Sequence, residues 1–293
     1  MLTIDLTGKS AFVTGVADDG GFGWLIAKSL KAAGARVFLA SHPRVTNIVA
    51  MILRRPASAA SRALPYGVTG EFQPDGILGC DVAYDTVDDI PADLRAAKGY
   101  ADTDVSIQGA MAKYRELSGG APIDILIHAV AFSPEIQKSH LETSRSAYLT
   151  AQSISAYSLV GLTRAALPLM AGRSASVVGL SYLAAERIVP GYGGGMASAK
   201  AALECDARAV AYFAGQHGHR VNIVSAGPFP SRAAKSIGAI DAMISHVAEK
   251  SPLGRPITGQ EVADTVLFLC SPLAGGITAE TIHVDCGYHA VAG

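Results

Sequence analysis

The stretch Ser10-Ala-Phe-Val-Thr-Gly-Val-Ala-Asp-Asp-Gly-Gly-Phe-Gly-Trp24 decides the fold. Ser10 to Thr14 is short and apolar, the pattern of a buried strand. Gly15, Gly20, Gly21 and Gly23 then open a turn, and Gly23 to Ala33 reads as a helix that stops at Gly34. Glycines between a buried strand and a helix let a pyrophosphate approach the backbone and meet the helix N-terminus. The spacing is not G-x-G-x-x-G, so an ordinary tight turn stays open as the alternative.

Outward from this unit the pattern repeats. Arg36 to Ala40, Asp124 to Ala129, Ser176 to Leu180, Arg220 to Val224 and Glu280 to Val284 read as further strands. Helical patterns fill 146–170, 197–216 and 260–270. Such alternation predicts an α/β fold of the Rossmann type, a doubly wound parallel sheet with helices on both faces, in a single domain over 1–293. The segment 43–78 departs from it. Arg44 to Arg55 has a helical pattern, and Pro56 to Gly79 reads as a long loop, hence an insertion or a lid.

Composition agrees with this class. With 49% hydrophobic and 17% charged residues, the 293-residue chain can bury a sizeable core. A net charge of -1 gives no electrostatic pull toward nucleic acid, and no apolar run reaches a membrane-spanning length. Cys80, Cys205, Cys270 and Cys286 lack metal-ligand spacing, so free thiols in a reducing compartment are expected. The first strand starts close to Met1, leaving no room for a targeting leader. The expected location is a bacterial cytoplasm, or an organelle matrix after removal of a leader.

The chemistry gathers where strands end. Tyr182 follows the strand at 176–180, and Tyr192 and Lys200 bracket Gly193, Gly194 and Gly195. A tyrosine and a lysine beside a nicotinamide can stabilise an oxyanion. A nearby cation is expected to favour the ionised phenol and strengthen it as a donor. In common short-chain dehydrogenases the tyrosine stands four before the lysine, but here that place is Met196. The acid must reach in from Tyr192, eight positions back, with the glycines either loosening the run or allowing close packing. Asp81 ends an apolar run, where it can accept a hydrogen bond from an adenine amino group. His42 and Arg44 follow the second strand, placed either beside the adenosine or in a solvated loop. Asp85, Asp88 and Asp89 read as a solvated acidic loop, and His128, inside an apolar run, as structural. The amphipathic stretch 232–244 is either a mobile lid or a surface helix.

Several of these motifs together resemble the enoyl-acyl-carrier-protein reductases of type II fatty-acid synthesis, in the plant, apicomplexan and chlamydial branch. They are Gly15-Val-Ala-Asp-Asp with Gly23-Trp24, Leu141-Glu-Thr-Ser-Arg145, Tyr182-Leu-Ala-Ala-Glu-Arg187, Pro190-Gly-Tyr-Gly-Gly-Gly-Met196, Ser198-Ala-Lys-Ala-Ala-Leu-Glu204 and Ser225-Ala-Gly-Pro228. The resemblance spans nearly the whole chain and implies a seven-stranded sheet. It also implies NADH as cofactor, with NADPH as the alternative, an enoyl acyl carrier protein as substrate, and a homotetramer. By resemblance Tyr192, Lys200 and Tyr182 are catalytic. Gly15, Gly21, Phe22, Trp24, His42, Asp81, Val82, Ala129, Ala131, Leu180, Lys200, Ala226, Pro228, Phe229 and Ser231 take cofactor-binding positions. Tyr182, Tyr192, Met196, Phe132, Ser133, Phe229, Ala233 and Ile237 line the acyl pocket, the site of triclosan-like phenols in that family, under a lid at about 229–245.

The chain departs from the family pattern at Ala129, His42 and Ser133, which stand for a serine, a tryptophan and a smaller residue. These bear on cofactor affinity, NADH preference and phenolic inhibitors more than on the reaction. Two other functions fit the residues less well. One is a carbonyl-reducing short-chain dehydrogenase, which Met196 disfavours. The other is a catalytically silent nucleotide- or acyl-binding homologue, which the intact Tyr182, Tyr192 and Lys200 disfavour.

Overall fold

Seven apolar runs form one parallel sheet in the computed structural model, which describes residues 4–291. The strands are β1 (Ser10–Thr14), β2 (Arg36–Ser41), β3 (Gly76–Gly79), β4 (Ile125–His128), β5 (Ser176–Ser181), β6 (Arg220–Ala226) and β7 (Thr281–Val284). Their order is β3-β2-β1-β4-β5-β6-β7. The chain therefore winds one way from β1 and the other way from β4, and the switch point lies between these two strands. There Val13 pairs with Ile127, and the Thr14 hydroxyl donates to the Ile127 carbonyl at 2.8 Å.

The helices are α1 (Phe22–Ala32), α2 (Thr46–Arg54), α3 (Ala59–Arg62), α4 (Ala92–Arg95), α5 (Ile107–Ser118), α6 (Arg145–Gln152), α7 (Ser158–Met170), α8 (Met196–Gly215), α9 (Arg232–Lys235), α10 (Ile240–Lys250) and α11 (Gly259–Cys270). On one face of the sheet Trp24 and Leu30 of α1 pack with Val262 and Val266 of α11. On the other, Tyr114 of α5, Leu159 and Leu162 of α7 and Leu203 of α8 form the second core layer. Each such side chain contributes about 1.5–3 kcal/mol by leaving water. The inner strands β1, β2, β4, β5 and β6 are buried on both faces, which is why they read as continuous apolar runs without alternation, while the edge strands β3 and β7 are only partly buried.

Several expectations change in detail. The helix expected over 146–170 is two helices joined by a π-helical turn at Ser153–Tyr157. The segment Pro56 to Gly79 is not a bare loop. It holds a short 3-10 turn, α3, a bridge between Ala63 and Glu71, and β3. Buried Arg62 organises it by donating to the carbonyls of Ile52 and Arg55 at 2.9 and 2.7 Å, closing the exposed end of α2. The stretch 232–244 is not one helix but α9, a break, and α10. Asp85, expected in a solvated loop, instead accepts from Tyr157 at 3.0 Å and from Arg164 at 2.7 Å. The four cysteines are free thiols. Among the described residues no helix is long and apolar enough to cross a membrane.

Candidate functional site

Parallel strands deliver their following residues to one edge of the sheet, where α/β proteins bind ligands. Gly15 follows β1, His42 follows β2, Ala129 follows β4, Tyr182 follows β5 and Gly227 follows β6. Asp81 follows β3 by two residues, and its amide donates to the Val105 carbonyl.

At the switch point Gly15 has φ +76 and lies against the Ala129 carbonyl, where a Cβ would collide. Only glycine serves there, because the backbone is left-handed and the neighbouring chain is in contact. The helix α1 begins at Gly21, an extended N-cap with no side-chain capping bond, and its first turn carries no acidic residue. Its first amides are thus free for an anion, which the helix dipole also favours. These residues fit a dinucleotide phosphate. Phe22 stacks on Phe229 with ring centroids 5.0 Å apart, so the turn after β1 and the segment after β6 meet over the sheet edge. Ala226 and Pro228 are buried beside them, and Ser231 uses its hydroxyl to accept the Ala234 amide of α9.

Trp24 does not belong to this edge. Its side chain is fully buried, its indole nitrogen donates to the Ser61 carbonyl at 3.0 Å, and its ring meets Phe72 edge-on. The position expected to touch cofactor instead anchors the insertion to α1. The reason is size: a tryptophan with a bonded nitrogen suits the gap between α1 and the 56–72 segment.

At the far end, His42 and Asp81 come together with Tyr100. The Tyr100 hydroxyl donates to Asp81 Oδ2 at 2.6 Å, and His42 Nε2 lies 3.5 Å from the same oxygen. Burial opposes ionisation of Asp81, but the bonds from His42, Tyr100 and the Ala83 amide outweigh it and hold the carboxyl below its usual range. Val82 is buried next to it. Tyr100 was not singled out by sequence reading. It lies in a stretch of turns without periodicity, and no local signal marks it.

The reactive end is built by the segment after β5 and the start of α8. The Tyr182 and Tyr192 rings meet edge to face with centroids 5.0 Å apart. Burial, and then Tyr288, push the Tyr182 phenol up to about 12. Burial, and then Tyr182, raise the Tyr192 phenol well above its ordinary value. The expected cationic activation is therefore reversed: desolvation wins, and both phenols stay protonated donors. Lys200 is buried, and its ammonium donates to the Leu180 carbonyl at 2.8 Å. Burial lowers it to about 8, against the raising influence of Glu204.

The glycines between them do not loosen the run. Gly193 and Gly194 donate their amides to the carbonyls of Ile136 and Lys138, and the Ser133 hydroxyl donates to the Gly194 carbonyl at 2.7 Å. The close-packing alternative holds, and Tyr192 stands ahead of α8 on a clamped backbone. Met196, the first residue of α8, is 98% buried against Ala151 and Ala199 with Tyr192 beside it, its relative exposure being 2%. The π-helical turn brings Ser155 against this cluster, donating to the Phe132 carbonyl at 3.1 Å and accepting the Phe132 amide at 2.9 Å. π-turns collect at functional sites, and a helical periodicity hides this one.

His128 is structural, as expected. It is fully buried, pairs with Ser158 at 2.7 Å, and is pushed down to about 3 by burial and then Lys200, so it is neutral. Ala129 is half-buried, while Ala131 and Phe132 are exposed at the sheet edge. Ile237 lies half-buried between α9 and α10, and Gln137 donates to the Ser236 carbonyl at 2.8 Å, tying this segment to the 133–138 loop. The Ala233 side chain lies outside the described residues.

A doubly wound sheet with an uncapped helix at its switch point, a protonated tyrosine pair after β5 and a buried lysine on α8 suits a dinucleotide-dependent reductase. Residues 80–289 match the family model described as "Enoyl-(Acyl carrier protein) reductase". The chain is 47% identical over 292 residues to the chloroplastic enoyl-[acyl-carrier-protein] reductase [NADH] of Arabidopsis thaliana, covering 99% of this chain and 74% of that protein. It is 38% identical to the NADH enzyme of the same name from Aquifex aeolicus, covering 97% and 92%. The solved structure of the Plasmodium berghei enoyl-acyl-carrier-protein reductase with triclosan superposes with a TM-score of 0.91 at 36% identity, covering 97% of this chain and 99% of that one. The chain belongs to the enoyl-(acyl carrier protein) reductase family.

Proposed function

We propose that this protein reduces the trans-2 double bond of enoyl chains held as thioesters on acyl carrier protein, in type II fatty-acid synthesis, with NADH as reductant. The observation that carries this reading is the Tyr182–Tyr192 contact at the end of β5 and ahead of α8, which also carries buried Lys200, with Met196 in the place of a ketone-reducing tyrosine.

Gly15, Gly21, Phe22 and the start of α1 would hold the pyrophosphate. His42, Asp81 and Val82 would hold the adenosine. Ala129, Ala131, Leu180 and Lys200 would flank the nicotinamide ribose, and Ala226, Pro228, Phe229 and Ser231 the carboxamide side. NADH, when bound, supplies a hydride to the β-carbon. Negative charge then builds on the thioester oxygen, one conjugated system away. The Tyr192 hydroxyl, kept protonated by burial, donates a hydrogen bond to that oxygen. Lys200 adds positive potential from α8. Protonation at the α-carbon completes the reduction. Tyr182 fixes the angle of Tyr192 through its edge contact and lines the acyl pocket with Met196, Phe132, Ser133 and Phe229. The segment 229–245 serves as the lid.

Because Lys200 is held at about 8, turnover should fall as pH rises through that value, where the ammonium loses its proton. Tyr192 does not produce this limb, since its phenol is shifted up. A kcat profile flat to pH 10 would contradict the role of Lys200. Leu149 of α6 and Tyr212 and Phe213 of α8 are large apolar side chains left more than half exposed, at 57%, 70% and 64%. These faces support assembly into a homotetramer. The reading is tested by following NADH absorbance with crotonyl thioester beside a ketone panel. Oxidation with the enoyl thioester alone is expected, and activity on ketones alone would overturn it.

A further inference from the structure

Glu204 is an acid that the reaction above does not use. It lies four residues after Lys200, one turn along α8, so both side chains occupy the same face of the helix. Both are nearly fully buried, at 6% and 4% relative exposure. Each is tied to a neighbouring residue at the end of β5. Lys200 donates to the Leu180 carbonyl, and the Ser181 hydroxyl donates to Glu204 Oε1. Adjacent positions of β5 thus anchor the lysine and the acid, one through its backbone carbonyl and the other through its hydroxyl.

A cation taken out of water tends to shed its proton unless a negative charge stands near. His128 of β4, which feels the charge of Lys200, is neutral and gives no counter-charge. Around Glu204 stand Ser181 at the end of β5, Glu186 beyond it, His283 of β7 and Arg208 one turn further along α8. His283 Nε2 is 3.1 Å from Glu186 Oε1. Glu186, Glu204, Arg208, Glu280 and His283 border an open groove of about 470 Å³. Burial pushes the Glu204 carboxyl up and Glu186 adds to this, while Ser181, His283 and Arg208 pull it down. Burial wins, so the carboxyl lies above its usual range, and the Ser181 hydroxyl and Arg208 limit the rise.

We propose that Glu204 is a positioning residue for the reaction: its carboxylate, held by Ser181, keeps Lys200 in the cationic form inside a buried site. The inference rests on the reading that Lys200 serves enoyl reduction. It extends that reading by assigning the charge state of the lysine to a second residue.

The test is the pH profile of crotonyl-thioester reduction in the wild type, Glu204→Gln, Glu204→Asp and Ser181→Ala, each checked for an unchanged thermal midpoint. Glutamine keeps the size and the acceptor for Ser181 but removes the charge. In Glu204→Gln the alkaline limb should move down by about one unit, the scale of a lost opposite charge nearby. Turnover at pH 8 then falls about fivefold, while the acid-side plateau stays near wild type. Glu204→Asp should restore the limb, and Ser181→Ala should shift it in the same direction as glutamine but less. The Lys200 side-chain nitrogen, followed by NMR in lysine-labelled protein with and without NADH, should show the same displacement. An unmoved limb and NMR midpoint in folded Glu204→Gln would overturn the proposal, as would an equal loss at every pH. If the wild type fails to reduce the enoyl thioester, the functional reading falls. The NMR midpoint then decides the role of Glu204 separately.

Discussion

Tyr192→Phe is expected to slow enoyl-thioester reduction by about 100- to 1000-fold, the cost of one oxyanion donor of roughly 2.7–4 kcal/mol. The substitution removes one oxygen and leaves the ring in edge contact with Tyr182, 5.0 Å between centroids. The half-buried position loses no backbone bond, so the fold and the NADH affinity should stay near wild type. The phenol is protonated at every working pH because burial raises it. The defect should therefore be the same across the pH range, unlike the limb set by Lys200. Steady-state kcat with NADH titrations by fluorescence checks both halves. Unchanged turnover would remove Tyr192 from the mechanism.

Gly194→Ala should lower kcat by about 100-fold with NADH affinity little changed, because it displaces Tyr192 without touching the pyrophosphate turn. Gly194 has φ +60, and a Cβ there would meet the Ser133 hydroxyl and the Glu135 carbonyl group. The backbone must shift, breaking the Ser133 bond to the Gly194 carbonyl and the Gly194 bond to the Lys138 carbonyl. Gly172→Ala is the control. It has φ +74 but open space for a Cβ, so it carries the backbone strain without the collision. If both variants lose turnover equally, strain and not the clamp explains the effect. If neither does, the close packing of the glycine run does not position the tyrosine.

Six of the seven strands were legible because a parallel sheet buried on both faces writes its strands as unbroken apolar runs, whereas β3, four residues with a glycine at each end, read as part of a loop. The helix Ile107–Ser118 was readable too, though it was not recognised. Ser106 caps its start by accepting the Gly109 amide, and Gly119 ends it at φ +69. The insertion was not readable, since its order comes from one buried arginine and from Trp24 rather than from periodicity. The same long-range contact took Trp24 away from the cofactor edge.

At the candidate site, sequence placed Tyr182, Tyr192 and Lys200 at strand and helix ends, and the structure brings the two tyrosines into contact. What spacing could not show was the sign of the electrostatics. Proximity to a lysine suggested an ionised phenol, but burial dominates at both tyrosines. Nor could it show Tyr100 on Asp81, or Ser155 on the backbone of Phe132, which depend on turns and on one π-helical displacement. Glu204 was the exception. Its place one helical turn after Lys200 stands in the sequence, and only its burial had to be added.

The central claim is that hydride goes to the β-carbon while Tyr192 holds the thioester oxygen. Reduction of crotonyl thioester with NADH deuterated at the transferring position, read by NMR of the product, tests it directly. The account predicts a saturated thioester carrying deuterium at the β-carbon alone, with the α-carbon taking its hydrogen from solvent. Deuterium at the carbonyl carbon, or at the α-carbon, would contradict it.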